Sequence, residues 1–389
     1  MSESNANRNI SAWEKNLLGV KVIDLPKLVP GLLAVAILTW LSFWLSNLIG
    51  IQLMGFEKSP ISPVLVAIIL GLALATAIPL PKSVTPGLQF SIKKILRLGI
   101  ILLGIRLTIF DVFKLGAFGI PIVALCIIGG LAITTWINNR LRLPERLGTL
   151  IAVGTSICGV TAIVAASPAI DAEEEESAYA VTVITIFGLF ATLFYPYLAH
   201  MLFAGDAVKI GLFLGTSVHE TAQVIGAAKI YADMFSQNLA LDVATITKLV
   251  RNVFMAAVIP FMAYRYAKKM QNSPEFQGQK TSFTKLFPMF ILGFLLMALF
   301  RSIGDAGINT GASAFGIWDS STWNEIISLI KHWAEIFLVA ALAGVGLSTK
   351  FQSLKQLGTK PFLVGLAASL AVGIVSFIAI NLLGNWVSI

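Results

Sequence analysis

Of the 389 residues, 57% are hydrophobic and only 12% are charged, and the formal net charge is +8. A soluble domain carries roughly 25% charged residues, so the composition excludes a soluble enzyme and describes an integral membrane protein. The alternating strands of a transmembrane barrel are absent.

The apolar runs are about 20 residues long, enough for helices to cross a hydrocarbon core of about 30 Å. In a soluble protein the positive charge would point to nucleic acid. Here it sits in short loops between apolar runs, where orientation explains it, and no nucleic-acid partner is expected. The two cysteines, Cys126 and Cys158, both lie in apolar segments, so neither a disulfide framework nor a cysteine-rich metal site is expected.

Residues 1–27 are polar and lack a small-residue cleavage site after a short apolar core. They are read as a cytoplasmic segment before an uncleaved first span. The rest, 28–389, reads as one transmembrane domain with halves at about 61–203 and 208–383. Eleven spans are predicted, at 28–49, 61–80, 95–110, 116–137, 147–170, 177–203, 208–230, 243–264, 286–303, 325–347 and 361–383.

With eleven crossings, the basic residues fall in alternate connections: Arg8, Lys15, Lys21 and Lys27; Lys82, Lys93 and Lys94; Arg140, Arg142 and Arg146; Lys209; Arg265, Lys268, Lys269, Lys280 and Lys285; and Lys350, Lys355 and Lys360. The opposite connections hold only Lys58, Lys114 and the acidic run DAEEEE at 171–176. This pattern predicts a cytoplasmic N-terminus and a C-terminus outside. The acidic run is read as a solvated outer loop.

Two repeats stand out. LLGIRLTIFDVFKLG from Leu102 resembles LAGVGLSTKFQSLKQLG from Leu342, and the predicted topology runs the two in opposite directions. This is the plan of an inverted repeat, common in secondary transporters. GTSICG from Gly154 also echoes GTSVHE from Gly215. Eleven full crossings would make that pair parallel, so either the match is local or a re-entrant segment has been counted as a span.

The chemistry concentrates in these two segments. Thr155, Ser156, Cys158 and Gly159 fall near the bilayer midplane by helical rise. Glycine and small hydroxyl residues tolerate an unwound backbone whose N–H groups attract anions, but they also serve tight helix packing. GTSVHETAQVIG, at 215–226, carries Thr216, Ser217, His219, Glu220, Thr221 and Gln223. If that segment is helical, Thr216 and Glu220 share one face and His219 and Gln223 another. Ionisable groups at such depth usually face a cavity and serve transport or proton relay.

In the next span, Lys248, Arg251 and Asn252 share a face, and Arg251 needs a partner. Glu220 is one candidate counter-charge, and the two cations could instead attract an anionic solute. Arg106 belongs with them, whereas Arg97, Arg301 and Lys331 lie nearer span ends and are expected to snorkel. HETAQ lacks the second histidine of H-E-x-x-H, and only His200, His219 and His332 are available, so no metal site is expected.

At these motifs the chain resembles the YeiH or UPF0324 family of bacterial inner-membrane proteins, which carry a provisional sulfate-exporter label. The likeness is carried by 102–116, by GTSICGVTAIVAASPAIDAEEEESAYA at 154–180, by GTSVHETAQVIGAA at 215–228, by KLVRNVFM at 248–255 and by AGVGLSTKFQSLKQLG at 343–358. It implies a polytopic secondary transporter. More distantly, 102–185 is similar to the first core repeat of bile-acid/sodium symporter-like proteins, which implies a broken helix at Thr155–Gly159. No matching break is found at the equivalent late position.

The expectation is an all-α transmembrane bundle of the bacterial inner membrane that exports a small anion, such as sulfate or a sulfonate, by alternating access. Thr155, Ser156, Cys158, Gly159, Thr216, Ser217, His219, Glu220, Thr221, Gln223, Arg251 and Asn252 are the candidate solute-binding residues. No cofactor is expected beyond a coupling proton or sodium ion. The lipid bilayer and the solute are the expected partners, and a homo-oligomer stays open. Three alternatives remain: a cation/proton antiporter using Glu220, a channel, and an intramembrane enzyme built on Cys158 and His219.

Overall fold

The structure is a computed structural model and describes residues 22–56, 59, 61–269, 288–311, 313–349 and 359–387. Arg8, Lys15, Lys21, Lys58, Lys280, Lys285, Lys350, Lys355 and the end of the repeat that begins at Leu342 lie outside the described residues. The described residues are mainly helical, with no strand beyond one isolated bridge between Ala314 and Trp318.

The helices are α1 (Val29–Asn47), α2 (Pro63–Ala77), α3 (Thr85–Phe90), α4 (Leu96–Leu103), α5 (Ile109–Leu141), α6 (Glu145–Ser156), α7 (Val160–Ala166) and α8 (Glu174–Leu202). They continue as α9 (Ala207–Ser217), α10 (Thr221–Phe235), α11 (Asn238–Val253), α12 (Met255–Lys269), α13 (Phe290–Asn309), α14 (Ser320–Ser348) and α15 (Thr359–Leu383). Each predicted span has a helical counterpart. Seven helices among the described residues are long and apolar enough to cross a membrane.

The chain forms two compact units. One comprises Met1–Ile100 with His332–Lys350, and the other comprises Ile101–Lys331 with Phe351–Ile389. The first is packed through glycine, as expected where lipid tails give helices no hydrophobic reason to associate and close contact must supply the attraction. A Cβ on Gly31 would fall 2.6 Å from the Gly87 Cα, and one on Gly71 would fall 3.0 Å from the Gly346 Cα. Ser91 adds a hydrogen bond to the Ala340 carbonyl at 3.1 Å.

The second unit holds the motif-bearing segments. Both prove to be hairpins rather than crossings, the re-entrant alternative left open by the sequence. In the first hairpin, Arg146 at the start of α6 lies 3.8 Å from Asp171 and 3.9 Å from Glu173, beyond the end of α7. An unbroken helix would separate residues 146 and 171 by roughly 37 Å. The fold-back also brings Ile163 of α7 so close to Gly154 of α6 that a Cβ there would meet its Cδ1 at 2.8 Å.

The turn depends on Gly159, whose φ of +71° is open to glycine and costly for other residues. Its N–H reaches back to the Gly154 carbonyl at 3.0 Å, satisfying a helix-end acceptor in the manner of a Schellman motif.

The second hairpin mirrors the first. His200, near the end of α8, stacks on Phe235 at 3.9 Å between ring centroids, and its Nδ1 lies 3.1 Å from the Tyr231 hydroxyl. Gly205, two residues before α9, sits beside the same ring: a Cβ on it would lie 3.5 Å from His200 Cε1. Residues 207 and 235 therefore share one end, where a straight helix would set them roughly 42 Å apart.

Helix α8 joins the two bases. Its 29 residues span about 43 Å, so the hairpins enter the unit from opposite ends and meet part-way. α11 begins at the base of the second hairpin, and α12 ends at the base of the first, where the Arg146 Nε donates to the Tyr266 hydroxyl at 3.0 Å.

Two expectations are corrected here. The acidic run lies at the same end as Arg146, not opposite it, because the chain returns at residue 170. Lys209, grouped above with the basic connections, lies at the other end beside Asp206, 3.7 Å away. Counting loops between assumed crossings reverses the side of everything between two uncounted returns.

Membrane-impermeant maleimide labelling checks this arrangement. Glu174→Cys and Asn238→Cys, both at exposed positions, are expected to label from opposite faces of oriented vesicles. Labelling from a single face would overturn the opposed hairpins.

Candidate functional site

The two hairpin tips, 157–159 and 218–220, meet in the interior. A Cβ on Gly159 would lie 3.2 Å from the Glu220 Cα. GTSICG and GTSVHE are therefore an inverted pair, each ending a first arm and opening a second. The late broken helix that the symporter-like resemblance lacked is found here, in the second of these motifs.

Why the chain breaks at these points is legible locally. α6 and α9 both end in Gly-Thr-Ser, and three of those four hydroxyls turn back on their own helix. Thr155 Oγ1 donates to the Ile151 carbonyl at 2.8 Å, Thr216 Oγ1 to Leu212 at 2.7 Å and Ser217 Oγ to Phe213 at 2.5 Å. Such back-bonding competes with the helical ladder and weakens its continuation. In the second arm, Gln223 stabilises the restart of the helix by accepting from the Glu220 N–H at 3.3 Å, while its amide donates to the Thr185 carbonyl at 3.0 Å. Gly188 on α8 leaves the room for that side chain, since a Cβ there would lie 1.9 Å from Gln223 Oε1.

Each first arm ends with carbonyls that have no helical partner, a problem that hydrocarbon makes severe. Two cations on α11 solve it. Lys248 Nζ donates to the carbonyls of Ile157 at 3.0 Å, of Val218 at 3.3 Å and of His219. An ammonium has three N–H groups, and all three are used.

Arg251 donates through Nε to Ser156 at 2.9 Å, through Nη1 to Thr216 at 2.7 Å and Val218 at 3.0 Å, and through Nη2 to Thr155. Both side chains thus bridge the two hairpins, at 0% and 1% exposure. The negative ends of the α6 and α9 dipoles add to the attraction.

This corrects the expected partner of Arg251. Among the described residues, no carboxylate makes a salt bridge with Lys248 or Arg251; the acceptors are neutral carbonyls of six residues. Glu220 interacts electrostatically with Lys248 but is half-buried at the start of α10, where the chain is extended. The expected pairing of Thr216 with Glu220 on one helix face, and of His219 with Gln223 on another, is also replaced, because the break at 218–220 falls between the members of each pair.

The remaining candidates gather around the clamp. His219 Nε2 lies 2.7 Å from Ser369 Oγ, and Thr216 Oγ1 lies 2.5 Å from Ser376 Oγ, both serines on α15. Asn252 donates to Thr221 Oγ1 at 3.2 Å. Cys158 lies 3.5 Å from the Met255 sulfur, so the cysteine and histidine weighed above as nucleophile and base have other partners. Three deeply buried polar atoms at this junction have no partner: Ser156 Oγ, His219 Nδ1 and Asn252 Oδ1. The packing beneath is apolar, with Leu150, Ile151, Ile163, Ile184 and Met255 in one cluster.

The sequence reading missed Ser369 and Ser376. Their spacing of seven in an apolar helix, two turns apart on one face, was the available signal. Arg106 does find a partner, Asp242, at 2.5 Å, and Arg301 pairs with Asp305 at 2.5 Å rather than snorkelling.

A family model described as conserved hypothetical protein 698 matches residues 30–365. The chain belongs to the UPF0324 family. It is 32% identical over 318 residues to a UPF0324 membrane protein of Fusobacterium nucleatum subsp. nucleatum, covering 82% of this chain and 90% of that protein. A UPF0324 relative from Corynebacterium glutamicum is 31% identical over 348 residues, with 90% of each chain covered. One from Clostridium tetani is 30% identical over 365 residues, covering 91% of this chain and 97% of that one. No solved structure matches significantly. The relatives are named membrane proteins, and with seven helices able to cross a membrane this chain is a multi-pass membrane protein.

Lys248→Met removes the shared donor from three carbonyls at two helix ends. The Val218 carbonyl keeps its bond from Arg251, so two carbonyls are orphaned; each costs about 1–3 kcal/mol, and a loss of about 2 kcal/mol or more is expected. Thermal denaturation in detergent should show a large drop for this variant and almost none for Lys268→Met, at an exposed position.

Proposed function

We propose that this UPF0324 protein is a secondary transporter of a small anion, with sulfate or a sulfonate as the first candidate, working by alternating access. The observation that carries the reading is the charge at the hairpin junction. Lys248 and Arg251 bring two positive charges. The C-termini of α6 and α9 offset roughly one of them, and the N-termini of α7 and α10 restore about as much, since each helix end acts as roughly half a charge. Glu220 then leaves an excess of about one positive charge in a low-dielectric interior, where an anion is favoured and a further cation is not.

Alternating access would follow from the pseudo-symmetry. One hairpin reaches the junction from each end of the unit, so the same junction can be presented to either side as the clamped tips move together. In this reading Thr155, Ser156, Cys158 and Gly159 come from one hairpin, and Thr216, Ser217, His219, Glu220, Thr221 and Gln223 from the other. Arg251, with Lys248, holds the two together, and Asn252 adds a bond to Thr221 of the second. We place the end carrying Arg140, Arg142, Arg146, Arg265 and Lys268 in the cytoplasm of a bacterial cell, by the positive-inside rule.

Uptake into proteoliposomes provides the test. Radiolabelled sulfate should accumulate saturably, with competition by sulfonates, and Arg251→Gln should reduce uptake at least tenfold. Unsaturable flux would indicate a channel. Absence of flux together with absence of thermal stabilisation by millimolar sulfate or sulfonate would remove the anion reading.

A further inference from the structure

Glu220 stands apart from the other residues of the proposed site. It is a carboxylate next to the carbonyl held by the buried Lys248, at a junction whose spare positive charge is proposed to receive a solute of the same sign as Glu220. A fixed negative charge there would repel that solute. It would be retained only if it does something the solute does not.

Its surroundings define what that is. From α11, Lys248 interacts with Glu220 electrostatically, and Arg251 lies one turn further along the same helix. From the first hairpin comes Gly159, whose missing Cβ makes room for the Glu220 backbone, while the neighbouring Cys158 thiol lies against the Met255 sulfur. α8 brings Ile184 and the Thr185 carbonyl to this region and no titratable side chain among the described residues. His219 precedes Glu220 and is held through Nε2 by Ser369.

Glu220 therefore lies next to the carbonyl that Lys248 holds, on an extended backbone between two helix arms. The unpartnered Ser156 Oγ, His219 Nδ1 and Asn252 Oδ1, with residue exposures of 0%, 0% and 2%, surround the same junction. They are polar capacity that nothing in the protein uses, as a solute or water site requires.

We infer that Glu220 is a built-in counter-anion, occupying the charge vacancy of the empty site and giving it up to the transported anion by taking a proton. The inference rests on the anion reading. When the solute arrives, one O–H bond forms on the Glu220 carboxylate as one O–H bond of a hydronium ion breaks to leave water, and the solute's negative charge replaces the one lost. No electron is transferred, and no other co-reactant is needed. Release reverses both steps. One proton is thus bound for each anion bound, and the site is never left with both cations uncompensated. A dianion such as sulfate matches the resulting pair of positive charges, which favours it over a monoanion.

Calorimetric titration of the purified full-length protein with sodium sulfate, in two buffers of different ionisation enthalpy, measures the protons taken up per anion. The wild type is expected to bind about one proton per sulfate, with affinity falling about tenfold for each pH unit above the titration of Glu220. Glu220→Gln should bind sulfate with no proton uptake and no such pH dependence. Glu220→Asp, which keeps the carboxylate, should retain the uptake, and it decides the matter if the glutamine variant does not fold.

Sulfate binding by the wild type without proton uptake would overturn the inference while leaving the anion reading intact. Undiminished proton uptake in a folded Glu220→Gln protein would do the same. Failure of the wild type to bind either sulfate or methanesulfonate would instead remove the anion reading beneath it.

Discussion

Helix ends buried away from water pose the problem on which the second unit depends. Two helices, α6 and α9, stop inside the fold and present unpaired carbonyls there. Lys248 and Arg251 answer both at once, with seven hydrogen bonds to the carbonyls of Thr155, Ser156, Ile157, Thr216, Val218 and His219. The pairing is charge-assisted and supported by the dipoles of two helices. Because each cation reaches both hairpins, neither tip can shift without breaking bonds to α11. The clamp therefore makes the two tips and α11 a single mechanical body.

That arrangement changes the meaning of the two cations. In the sequence they looked like solute ligands or partners of a carboxylate. In the fold their donors are directed to backbone carbonyls, and their charge is what remains available. An anion would be attracted by the field of the clamp rather than gripped by its N–H groups. The polar atoms at the junction that no other group of the protein bonds are Ser156 Oγ, His219 Nδ1 and Asn252 Oδ1.

Packing around the tips follows the same logic of small residues where backbone must approach backbone. Gly159 admits Glu220, Gly188 admits the Gln223 amide, and Gly130 leaves space beside Ser156, where a Cβ would fall 2.7 Å from the Ser156 Oγ. A side chain at any of these would push on the junction itself. In the first unit, Gly31, Gly71, Gly87 and Gly346 play the equivalent part between helices.

Much of this was legible in the residues themselves. Apolar runs without alternation determined a helical membrane protein, the repeated Gly-Thr-Ser marked two places where a helix could either break or pack tightly, and a buried Arg251 had to have acceptors. Direction was not legible. An apolar arm of eleven or twelve residues followed by another reads the same whether the chain goes on or turns back, because lipid asks only that both be helical and apolar. The turn at Gly159 and the Arg146 contacts with Asp171 and Glu173 decided it, and with it the side on which the acidic run lies. The partners of Lys248 and Arg251 were equally out of reach, since backbone carbonyls are present at every residue and only their exposure at two tertiary helix ends singles out six of them.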